Sequence, residues 1–218
     1  EIDQFIMKGG KSIFLVNGVD IGQGLNATAT PRVVDDLLEN YGVKVNRDLV
    51  LDLSNETAGF SQGFMTFFVP YPFWVKVRKE NLDPQNPIVS PLESMVFPWT
   101  SSLEVEGEPG SGVIASVLAS TTDRSWTQSG MFIISPQQTI NPSPETLKKH
   151  NLAILLSGIF KSAFVDTSLP EGITALPLRE SPETRMIVVG NGRFVSDNHL
   201  QRFPENGVFF LNAVDWLT

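Results

Sequence analysis

The segment that most constrains the fold closes the chain: Arg185-Met-Ile-Val-Val-Gly-Asn-Gly-Arg-Phe-Val-Ser-Asp197, then Gly207-Val-Phe-Phe-Leu-Asn-Ala-Val-Asp-Trp-Leu-Thr218. Met186 to Val189 is apolar and rich in β-branched residues, and it stops at Gly190-Asn191-Gly192. It reads as a buried strand ending in a turn. A polar loop follows, then a helix that sets Phe209, Phe210, Ala213, Val214 and Leu217 on one face. Strand, loop and helix in that order form the closing unit of a layered α/β domain.

The start of the chain follows a related pattern. Glu1 to Gly10 reads as the last turns of a helix stopped by Gly9-Gly10. Ser12 to Val16 is a continuous apolar run, suited to a strand covered by helices on both faces. Thr30-Pro31 offers an N-cap and a first-turn proline to a helix bearing Val33, Val34, Leu37, Leu38 and Tyr41, which Gly42 ends. Val43 to Val45 and Leu49 to Leu53 read as short strands. This alternation predicts a parallel α/β sheet.

From Asn55 to Pro144 the texture changes. Pro70, Pro72, Pro84, Pro87, Pro91, Pro98 and Pro109 separate short aromatic and β-branched runs such as Phe64 to Val69. No stretch there has a long helical period. The reading is one α/β domain over 1–218 with an irregular, β- and loop-rich insertion over 55–144, where function tends to reside. Leu152 to Phe164 reads as a core strand entering a polar edge, and Pro170 to Pro182 as a loop.

Composition narrows the function classes. The net charge of −8 argues against a nucleic-acid partner, because phosphates need a cationic surface and the sequence has no dense basic cluster. A charged fraction of 18%, against the usual roughly 25%, favours an exported protein. With no cysteine there is no disulfide, thiolate metal site or cysteine nucleophile. The longest apolar run, Leu152 to Phe160, falls short of the roughly 20 residues that a spanning helix needs. Residue 1 is Glu and the opening helix lacks its first turns, so the chain reads as a soluble piece of a longer protein.

Several motifs have chemical look-alikes. Gly59-Phe-Ser-Gln-Gly63 matches a nucleophile elbow, with His150 and His199 downstream, but the elbow requires a strand before Ser61 and a helix after it. The flanks suggest neither, and a glycine-rich loop is the simpler reading. Gly22-Gln-Gly24 imitates a dinucleotide fingerprint but stands several residues past the strand, with the helix starting only at Pro31. His150, at a predicted helix end, and His199, in a polar loop, read as solvated. Neither has a partner at metal-ligand spacing. No metal or cofactor is expected. Trp74, Trp99 and Trp126 either build a binding surface or pack small cores under loops.

Further stretches carry a resemblance. They are Leu37-Leu-Glu-Asn-Tyr-Gly-Val-Lys-Val-Asn-Arg-Asp-Leu-Val-Leu-Asp52, Asn86-Pro-Ile-Val89 through Phe97-Pro-Trp99, Leu152 to Ser162, Val188 to Phe194 and Asn206 to Leu217. In order and spacing they resemble the auxiliary, substrate-binding component of gliding-motility ABC transporters, the GldG-like family. The resemblance implies a non-catalytic bacterial domain on the periplasmic face of the inner membrane, anchored by membrane segments outside this chain. It implies permease and ATPase subunits as partners and an unidentified small ligand. It also implies a three-layer α/β sandwich like the class I glutamine-amidotransferase (flavodoxin-like) fold. The nucleophilic cysteine of true amidotransferases is missing, and Asn191 stands where the family pattern has Asp. Candidate ligand residues lie in the loops after strand ends, where α/β sheets place ligands: Asn17, Asp20, Asn191, Arg193 and Asp197. Trp126 joins them from the insertion. The alternative is a carbohydrate- or peptide-binding module using the inserted aromatics, and more remotely a serine hydrolase at Ser61.

Overall fold

Apolar runs from opposite ends of the chain meet in a central sheet. The computed structural model describes residues 1–106, 112–138, 140–164 and 177–218. In chain order its strands are β1 (Ser12–Leu15), β2 (Val19–Ile21), β3 (Ala27–Ala29), β4 (Val43–Val45), β5 (Asp48–Asp52), β6 (Asn55–Gln62), β7 (Met65–Arg78), β8 (Ser94–Pro98), β9 (Leu103–Val105), β10 (Val113–Ser120), β11 (Ser125–Ser129), β12 (Asn151–Gly158) and β13 (Thr184–Val189). The α-helices are α1 (Ile2–Met7), α2 (Asp35–Asn40), α3 (Asp197–Arg202) and α4 (Pro204–Leu217). Most of the segment read as the loop Pro170 to Pro182 lies outside the described residues.

The central sheet runs β1-β13-β12-β9-β4, with β10 also paired to β12. β1 lies parallel to β13, from Ser12 opposite Met186 to Leu15 opposite Val189. The other described pairs are antiparallel. The parallel arrangement expected of the first fifty residues is therefore confined to one pair. β1 finds its partner at the far end of the chain, while β2 and β3 pair with each other and β4 and β5 pair with the later β9 and β11.

Alternation along β13 sends its side chains to two cores. Ile187 and Val189 pack in the cluster that holds Phe209, Ala213 and Leu217 of α4. Met186 and Val188 pack with Ile6 and Met7 of α1 and Leu38 of α2. Helices thus cover both faces of β13, which is why its sequence is apolar at successive positions. The buried stripe of α4 is Asn206, Phe209, Ala213 and Leu217, narrower than expected, with Phe210 and Val214 partly exposed.

α2 begins at Asp35, later than the Thr30-Pro31 signal suggests. The reason is Arg47. Its Nε donates to the Thr30 carbonyl at 2.9 Å and its Nη2 to the Pro31 carbonyl at 3.2 Å. Its Nη1 lies 2.8 Å from the buried Asp35 carboxylate. Carbonyls that would start the helix are thereby held elsewhere, and Val33 is left 83% exposed.

Between Asn55 and Pro144 the described residues hold β6 to β11. β7 is 14 residues long despite Pro70 and Pro72. Its pairing with β6 jumps from Asn55–Val75 to Glu56–Tyr71, so Pro72 falls in a bulge where no ladder hydrogen bond is asked of it. β6-β7-β8 form a sheet, and β5 with β11 a second pair. Leu49, Leu51, Tyr71, Phe73 and Trp126 share a third core beneath them.

Candidate functional site

The carboxyl ends of β1 and β13 lie side by side, and the segment Pro98 to Ser102 passes across them. Ser101 is the centre of this floor. Its N–H donates to the Gly190 carbonyl at 2.8 Å, and its Oγ donates to the Asp48 carbonyl at 2.8 Å while accepting from the Gly18 N–H at 3.1 Å. The approach is close because both neighbours are glycine. A Cβ on Gly18 would sit 2.0 Å from the Asn46 carbonyl oxygen, and one on Gly190 would sit 2.2 Å from that of Ser101.

Four of the six sequence candidates meet above this floor. Asn17 accepts from the Gly192 N–H at 2.6 Å, joining the two strand-end loops. Arg193 pairs with Asp20 and donates through Nη2 to the Ile21 carbonyl at 2.8 Å. Asn191 is fully buried. Its Nδ2 donates to the Pro98 carbonyl at 2.7 Å, and its Oδ1 accepts from the N–H groups of Arg193 at 2.7 Å and Phe194 at 3.0 Å. These polar groups hold the loops to each other, while the buried Arg193 Nε has no hydrogen-bond partner among the described residues. Asp197 is exposed at the first turn of α3. Trp126 stands apart, buried in the core under β5 and β11.

An aromatic wall borders the crevice. Trp74 and Trp99 meet edge to face with centroids 5.4 Å apart, and the His199 ring lies 5.9 Å from Trp74 and 6.1 Å from Trp99. Phe203 adds a further edge, and the Arg202 guanidinium sits 4.9 Å over the Trp74 ring. Trp99 has φ of 54°, a left-handed conformation costly for a bulky residue. Strain of this kind, of order 1–3 kcal/mol, clusters where geometry serves function. His199 is half-buried, not solvated, and shares a 2.8 Å hydrogen bond with Ser196 Oγ. Burial lowers its pKa, with Arg193 and Arg202 adding to the effect and a hydrogen bond to the Arg193 backbone opposing it. Of the three inserted tryptophans, Trp74 and Trp99 meet here, partly buried and packed against the same core that holds Trp126.

The remaining motifs resolve differently. Ser61 is exposed on β6, its Oγ 3.2 Å from that of Thr66, and β6 leads through a turn into β7, so the strand–turn–helix of an elbow is not formed. His150 is also buried, immediately before β12, and its Nε2 has no hydrogen-bond partner among the described residues; it is not at a helix end. Gly22 and Gly24 lie in the link between β2 and β3. Among the described residues no cluster of three His, Cys, Asp or Glu is placed to hold a metal. An opening of about 570 Å³, largely apolar, is lined by Leu25, Phe60, Phe67, Val69 and Pro136 with Ser61 at its side. It shares no residue with the crevice.

Sheet and helices together define a mixed α/β fold whose strand-end loops are tied to one another by side-chain hydrogen bonds. The chain belongs to the family described as ABC-type uncharacterized transport system, which it matches over residues 1–213. An uncharacterized protein of Borreliella burgdorferi (strain ATCC 35210 / DSM 4680 / CIP 102532 / B31) is 24% identical over 212 residues, covering 94% of this chain. The chain spans 39% of that relative's length. The solved mmIFT52 N-terminal domain is 17% identical, and the alignment covers 99% of this chain and 68% of that one with a TM-score of 0.51. That likeness concerns the fold alone.

Proposed function

We propose that this chain is the non-catalytic, extracytoplasmic domain of an ABC-transporter auxiliary component of the gliding-motility kind, anchored in the bacterial inner membrane by segments beyond this chain. The family match over residues 1–213 carries the reading. The crevice supports it: its polar side chains are spent on holding loops, and Ser61 has no base beside it among the described hydrogen bonds. Helices on both faces of β13 support the amidotransferase-like sandwich as its architecture. The domain couples to permease and ATPase subunits and presents a small ligand at the strand-end loops.

The test is affinity purification of the full-length protein from its native host in mild detergent, followed by mass spectrometry. A permease and an ATPase at near-stoichiometric yield are expected; their absence removes the reading. A second reading, a carbohydrate- or peptide-binding module, is favoured by the Trp74–Trp99 pair beside His199. Glycan-array or peptide-library binding abolished by Trp99→Ala would move the conclusion there.

A further inference from the structure

The β6–β7 hairpin ends in apolar side chains that the rest of the described chain leaves uncovered. Phe64 is fully exposed, Phe68 68%, Met65 62% and Phe67 45%. Between Glu56 and Lys76 the sequence has no Asp, Glu, Lys or Arg, on a chain of net charge −8. Such a patch marks a contact surface.

The pairing decides what kind of contact. Phe60 lies opposite Phe67, with Met65 next along that face, whereas Phe68 lies opposite Gly59 on the other face. Phe64 occupies the turn, after Gly63 at φ 60°, the position where a two-residue hairpin favours glycine. Apolar groups therefore leave the hairpin on both faces and over its tip. A groove on a protein covers one face, but a lipid layer surrounds the whole tip. Charge agrees: a segment without charge matches an uncharged medium, whereas the acidic body is repelled by anionic headgroups. Length agrees as well. Roughly 10 Å of strand separates the Phe60–Phe67 pair from the turn. Interfacial segments bury about 5–10 Å into the headgroup–acyl boundary, and a spanning strand needs about 9–11 residues.

We propose that the tip of this hairpin, through Phe64, Met65, Phe67 and Phe68, inserts into the interface of a phospholipid bilayer and holds the body of the domain beside it. The inference stands independently of the transporter reading, because it concerns this chain and lipid alone.

The chain has no cysteine, so Phe64→Cys gives a single attachment point for an environment-sensitive fluorophore. With phosphatidylcholine vesicles the label shifts to the blue, and the unlabelled chain floats with the vesicles. The double variant Phe64→Asp, Phe68→Asp loses at least about tenfold in vesicle affinity while its circular dichroism and thermal midpoint stay unchanged, since both side chains are exposed. A label that keeps its aqueous spectrum at saturating lipid overturns the proposal, as does flotation that the double variant leaves intact. A dimer seen by light scattering and broken by the same variant overturns it too, and assigns the tip to a second copy of the chain.

Discussion

Asn191 donates to Pro98 and accepts from Arg193 and Phe194, so both ends of its amide are used. A carboxylate of the same shape keeps the acceptor and turns the donor into a buried negative charge facing a carbonyl oxygen. Asn191→Asp is therefore expected to destabilise the fold by about 2–4 kcal/mol at neutral pH. The deficit shrinks under acid, because the new carboxyl titrates high in the fold and, once protonated, donates to Pro98 again. Denaturant titrations of both proteins across pH measure this; an unchanged midpoint at neutral pH would show that Asn191 does not latch the loop. The sequence marked this position, since strand ends are where α/β loops gather, but it offered no sign of Ser101. A lone serine in Thr100-Ser-Ser102 looks like any polar linker residue. Its importance comes from partners at positions 18, 48 and 190, a long-range fact that no local pattern encodes. The burial of His199 is illegible for the same reason, because its neighbours Trp74 and Trp99 are remote in the chain.

At the scale of elements, α1 is six residues long and far too short to persist alone. Ile6 and Met7 bury one face of it, and Asp3, one turn earlier on that same face, anchors it. The Asp3 carboxylate accepts from the Tyr41 hydroxyl at 2.8 Å, the Ala163 N–H at 2.9 Å, the Ser162 hydroxyl at 2.8 Å and the Gln4 amide at 3.0 Å. Burial alone would raise its pKa, yet the hydrogen bonds led by Ala163 outweigh burial and hold it low. Asp3→Ala strands those donors and is expected to cost about 2–4 kcal/mol. Hydrogen exchange of Ile6 and Met7 would then rise before that of β12; equal protection in wild type and variant would refute the anchoring role. Short apolar runs such as Met186 to Val189 were legible because the period decides them. α2's true start was not, because Arg47, beyond the helix in sequence, outcompetes the Thr30-Pro31 signal. β7 was not legible either, since prolines argue against a strand unless a bulge takes them in.

For the molecule as a whole, one core spans segments that look unrelated in sequence. Val75 and Val77 of β7, Phe97 of β8, Leu118 of β10, Ile187 of β13 and Phe209 of α4 belong to the same cluster. Unfolding is therefore expected as a single transition, with tryptophan fluorescence and far-ultraviolet circular dichroism coinciding. An earlier fluorescence transition would mean that the β6–β8 sheet melts by itself. The transition should also move with pH through His150. Burial first, and Lys148 second, lower its pKa from 6.5 to about 4. The unfolded chain takes up this proton near 6.5 and the folded chain resists until about 4, so His150 leaves stability intact above 6.5 and erodes it as pH falls toward 4. His150→Leu should flatten that acid limb. Composition indicated none of this, because which titratable groups end up buried depends on long-range packing. The two glycines against the crevice floor carry a further consequence, for inheritance. A methyl group at position 18 or 190 would collide with backbone at 2.0 or 2.2 Å, a neighbour that no rotamer change moves aside. Lineages that carry this domain can vary the rim through the loops around Asp20, Arg193 and Trp99, while the floor beneath is closed to variation.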